Sequence, residues 1–176
     1  MKIMEKEYLI GRLLIETAFS CMACDGDIDS REINLILDFQ KNENLFHIDD
    51  AEDTLNFFIS EVNKKGQLFF YDYFKLLRTT NLSKEEEIAI ARVALKIIEA
   101  DDIIKYSEIK FFKIIRSKLK VSNEELKIAL PEFDNIDEYL QEDIITKNSR
   151  EKLFSDYFDN HSLPSFDKIS FDDLNT

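Results

Sequence analysis

The sequence predicts an all-helical fold, and three observations predict it. Its 176 residues hold only 3 Gly and 2 Pro, too few turn residues for a β-sandwich or barrel. Apolar residues recur at three- and four-residue spacing along most of the chain up to Leu130, the period of amphipathic helices. Three capping boxes, Asp29 with Glu32, Ser83 with Glu86 and Ser122 with Glu125, mark helix starts.

Leu9, Leu13, Thr17 and Cys21 form one row of the first helix, with Ile10, Leu14, Ala18 and Met22 beside them. That helix ends near Cys24, where Gly26 can supply a left-handed turn. Asp29 then caps a second helix through Ile33, Leu35, Ile36 and Phe39. Leu55, Phe58, Ile59 and Val62 predict a third, ended by Gly66. Leu68 to Leu77 is rich in aromatics and could be a strand, but its spacing also fits a helix, and no partner strand is visible. The helix opened by Ser83 is apolar around most of its circumference, which predicts a central, buried position. Ile109, Phe112, Ile115 and Leu119 predict another helix, and a short one follows from Ser122 until Pro131 stops it.

The composition divides the chain. Residues 1–130 are the predicted helical domain. Residues 131–176 form an acidic, aromatic C-terminal extension, partly helical from Ser149 to Phe158, holding twelve acids against four bases. Its Phe and Tyr content exceeds that of a solvated linker, which predicts a contact element for this chain, a second copy or a partner.

The formal charge of −13 repels phosphates and argues against nucleic-acid binding. Charges interrupt the apolar residues of the N-terminus, so neither a signal peptide core nor a membrane span is expected. Two cysteines, Cys21 and Cys24, suit a reducing compartment, and the cytoplasm is the expected location. Their C-x-x-C spacing falls at a helix end, where no dipole favours a thiolate, so both read as packing residues.

One turn occurs twice. Ala23-Cys24-Asp25-Gly26-Asp27-Ile28-Asp29-Ser30-Arg31-Glu32-Ile33 aligns with Glu99-Ala100-Asp101-Asp102-Ile103-Ile104-Lys105-Tyr106-Ser107-Glu108-Ile109, with Asp25 and Asp101 76 residues apart. The expected unit is a helix, an acidic turn and a helix, a pseudo-repeat. If both copies meet, Asp25, Glu32, Asp101 and Glu108 converge, and oxygen ligands of this kind suit a hard divalent cation, Ca²⁺ or Mg²⁺, bound weakly. Capping explains Asp29 and Glu32 without a metal. It leaves Asp25 and Asp101, at helix C-termini, unexplained. An EF-hand is not expected, because its first two ligand positions would fall on Cys21 and Ala23.

These two turns resemble those of the TerB family, which includes tellurite-resistance TerB and the N-terminal domain of DjlA-type membrane-anchored co-chaperones. The resemblance covers roughly Tyr8 to Leu130 and rests on Asp25, Gly26, Glu32, Asp101 and Glu108. Asp102 and Lys105 depart from the pattern. The resemblance implies a compact domain of about seven helices and an acidic cluster serving a divalent cation or a partner.

No Glu-x-x-His, Gly-x-Gly-x-x-Gly or Walker loop is present, and nothing flags a nucleophile. The expectation is a non-enzymatic interaction module of a stress-response or defence system, binding a protein partner through its acidic face or C-terminal extension. The alternative is an acidic decoy that mimics DNA and binds a basic partner.

Overall fold

The computed structural model describes residues 2–141 and 153–175. Among these residues there is no strand; nine α-helices and one 3-10 turn make up the regular structure. They are α1 (Lys2–Ala23), α2 (Ser30–Glu43), α3 (Ala51–Lys65), α4 (Gln67–Thr79), α5 (Lys84–Ile98), α6 (Tyr106–Lys118), α7 (Asn123–Ala129), α8 (Ile136–Leu140) and α9 (Leu153–Asn160), followed by the 3-10 turn Asp172–Asn175. Seven of the helices precede Pro131. The aromatic stretch that could have been a strand is α4. Its Phe69, Phe70, Tyr73, Phe74 and Leu77 are all buried on one helical face. Among the described residues, no helix is long and apolar enough to cross a membrane.

Helix α5 is central, as its all-round apolar pattern requires, and packs chiefly against α1. From Gly11 onward α1 is almost wholly buried. Gly11 is needed for a close approach, since a Cβ there would lie 1.8 Å from the Phe46 carbonyl oxygen. The loop after α2 therefore rests directly on the α1 backbone. That loop turns through left-handed Asn44 and His47 (φ 46 and 48°), and Asp50 then caps α3 by accepting from the Asp53 amide at 2.9 Å. The buried Glu87 of α5 accepts from the Lys120 and Val121 amides, both at 2.7 Å, and fixes the turn between α6 and α7. All three expected capping boxes are formed.

The chain beyond Leu130 returns to this body. Phe158 of α9 lies 5.2 Å from Phe70, and Tyr157 lies 5.6 Å from Phe111, ring centre to ring centre. Tyr139 of α8 packs on Phe112 at 5.6 Å. Tyr157, Phe158 and Phe166 are buried in the same apolar core as α1 and α5. The expected helix from Ser149 to Phe158 is seen from Leu153; residues 149–152 lie outside those described.

Candidate functional site

The two acidic turns are held by matching hydrogen bonds. Asp25 Oδ1 accepts from the Asp27 amide at 3.0 Å, and Asp101 Oδ1 accepts from the Ile103 amide at 2.9 Å. Each Asp side chain closes the turn that leaves its helix, which accounts for an acid at a helix C-terminus. Glu32 Oε2 accepts from the Asp29 amide at 3.0 Å, and Glu108 Oε2 accepts from the Lys105 amide at 2.8 Å. These glutamates satisfy a backbone donor at the start of α2 and of α6.

The turns meet. Lys105 Nζ donates to Asp25 Oδ2 at 2.6 Å and lies 3.7 Å from Asp27 Oδ2. Arg31 grips Asp29 through two bonds of 3.0 Å and reaches Asp101 Oδ2 at 3.9 Å. Each turn thus supplies a cation to an aspartate of the other. All four predicted carboxylates belong to this cluster. Burial pushes Glu32 up to about 9, with the Glu108 and Asp25 charges adding to it against the Asp29 amide. Burial likewise raises Glu108 to about 7, helped by Asp25 and Asp101 and opposed by the Lys105 amide and ammonium. The hydrogen bond to Asp25 raises Lys105 above the ordinary lysine value.

The position facing Asp25 and Asp27 is taken by the Lys105 ammonium, and Glu32 and Glu108 each spend an oxygen on a backbone amide. Among the described residues, no three His, Cys, Asp or Glu side chains are grouped to hold a metal ion. Lys105 stands in the second turn at the N-cap position that Asp29 holds in the first.

The rim of the site is apolar. Ile103 and Tyr106 are more than half exposed and Ile104 is partly so; Asp27 and Asp102 of the two turns face solvent. Spacing alone could not separate these apolar residues from core positions. Behind the site, Cys21 and Cys24 are free and buried. Cys24 Sγ donates to the Cys21 carbonyl at 3.1 Å, and burial raises both thiols well above the ordinary range. The Tyr157 hydroxyl donates to the Cys24 carbonyl at 2.9 Å, so α9 is bonded to the start of the first turn. When the chain is compared with family models, curated proteins and solved structures, none of them matches it.

Proposed function

We propose that the chain is a non-catalytic interaction module of TerB type, acting in a stress-response or defence system, whose two acidic turns receive a basic protein segment carrying an apolar anchor. The observation that carries this reading is the exposed set Ile103, Ile104 and Tyr106, which follows the solvent-facing Asp102 in the second acidic turn, with the Lys110 ammonium over the Tyr106 ring. An apolar patch beside a carboxylate complements a partner with apolar side chains beside Lys or Arg. The matching Asx turns and capping glutamates 76 residues apart support reading the two halves as a pseudo-repeat. The carboxylates of the cluster are engaged in caps and ion pairs, which supports contact rather than acid–base chemistry. The two free thiols support a reducing compartment, the cytoplasm.

Fluorescence titration with basic peptides tests the reading. Peptides with an apolar anchor should bind, more weakly as salt rises, and Ile103→Ser with Tyr106→Ser should abolish binding. Equal binding by anchorless basic peptides, unchanged in that double variant, would sink it. That second outcome is the decoy reading, which the net charge of −13 favours. A decoy should instead bind DNA-binding proteins through charge alone and compete with DNA for them.

A further inference from the structure

The chain after α9 crosses α3 under an unusual set of hydrogen bonds. Asn63 of α3 donates from Nδ2 to the Phe166 carbonyl and accepts on Oδ1 from the Phe166 amide, both at 2.8 Å. Asn56 repeats the pattern on Ile169, accepting from its amide at 2.8 Å and donating to its carbonyl at 3.3 Å. Both backbone groups of each tail residue are thus satisfied by one side-chain amide, as a neighbouring strand would satisfy them. The spacings agree. Seven helical residues rise about 10.5 Å, and three residues of extended chain span roughly 9–10 Å. Asparagines two turns apart on one helix face therefore meet every third residue of an extended segment.

The side chains follow the same period. Phe166 is buried, Leu163 and Ile169 are half-buried, and Pro164, Ser165, Asp167 and Lys168 between them face solvent. On its other side the tail faces Gly26, Ile28 and Ile33, and a cavity of about 440 Å³ lies between them and Pro164, Phe166 and Ile169. Gly26 allows the approach, because a Cβ there would lie 2.8 Å from Pro164 Cδ.

We infer that the face of α2 and α3 is a groove for an extended peptide, read through its backbone by Asn56 and Asn63 and filled in cis by residues 163–171. It accepts apolar side chains three residues apart, with exposed positions between them that carry no requirement. A partner presenting such a segment competes with the chain's own tail. The recognition chemistry is main-chain hydrogen bonding plus apolar anchors at every third residue, as when a strand is added to a sheet edge. This surface is separate from the rim at Ile103, Ile104 and Tyr106, and its test does not depend on that rim.

The experiment uses the full chain and a fluorescent peptide with the sequence of residues 162–175. Phe166→Ala in the protein loosens the tail, and the peptide should bind that variant at least tenfold more tightly than the parent chain. Asn63→Ala added to Phe166→Ala should remove binding. The peptide itself supplies a control that leaves the protein unaltered: N-methylation at the residue matching Phe166 deletes the amide that Asn63 accepts from, and should cost most of the affinity. No binding to the Phe166→Ala chain, or equal binding of the N-methylated peptide, would overturn the inference.

Discussion

The Tyr157 hydroxyl donates to the Cys24 carbonyl at 2.9 Å across 133 residues of sequence. The carbonyl belongs to the end of α1, where helix termination leaves acceptors without an intrahelical partner. Helix α9 thereby completes the C-terminus of the helix that begins the acidic site. Tyr157→Phe should lower stability by about 1–2 kcal/mol, the cost of leaving a buried carbonyl unsatisfied. Denaturant melts of the two chains measure it, and an unchanged midpoint would show that this bond contributes nothing.

Phe158 sits among Phe70, Phe154 and Tyr157. Phe158→Ala should cost about 3–5 kcal/mol, as for other buried phenylalanines. A chain ending at Leu130 should bind a hydrophobic dye and melt less cooperatively, because the faces of Phe70, Phe111 and Phe112 lose their cover. A truncated chain with the parent's melting curve and no dye binding would contradict this.

Glu32 and Glu108 set a pH dependence with a definite sign. Both have carboxyls raised above 4.5, to about 9 and about 7. Between 4.5 and those values the folded chain holds protons that the unfolded chain has released, so stability falls as pH rises and levels off once the folded groups ionise. Lys105, raised by its bond to Asp25, keeps its charge throughout this window. Glu32→Gln keeps an oxygen for the Asp29 amide and removes the buried charge. It should flatten the profile and stabilise the chain at pH 9 by roughly 1–3 kcal/mol. Thermal melts from pH 5 to pH 9 (roughly the span over which carboxyl linkage acts) check it; a Glu32→Gln chain as pH-sensitive as the parent would refute the assignment.

Lys105→Ala leaves Asp25, whose side chain is 9% exposed, without its counter-charge. Because Lys105 is itself partly exposed, the loss should be about 1–3 kcal/mol, between the values for surface and buried pairs. Lys105→Arg should recover most of it. Adding a chelator should leave the parent's melting temperature unchanged, whereas a fall on chelation would show that a metal ion holds the turns.

Cys21 and Cys24 should resist Ellman's reagent in the native chain and react fully on unfolding, since both are buried and hard to ionise. Rapid labelling of either thiol under native conditions would contradict their placement.

Much of the helical body was legible because its signals are local. The rows through Leu13 and Leu14, the all-round apolar pattern of α5 and the Ser83–Glu86 box each act within a few residues. Asp25, Glu32, Asp101 and Glu108 could be singled out because the two turns share their residue types at one spacing. The role of Lys105 was harder to read, since a lysine in a loop usually faces water, and only its distant partner shows otherwise. The path of the tail left no sequence trace, because Asn56 and Asn63 bind main-chain groups that every residue carries.

A lysine that neutralises an aspartate from within the same chain has no dissociation constant. A free ion occupies its site in proportion to its concentration, whereas the Lys105 ammonium is delivered at the effective concentration that folding imposes. Ion supply then does not set whether Asp25 is paired. That ammonium arrives when the chain folds and stays as long as the fold does, so the pairing of Asp25 is a fixed structural part that does not wait on an ion from solution.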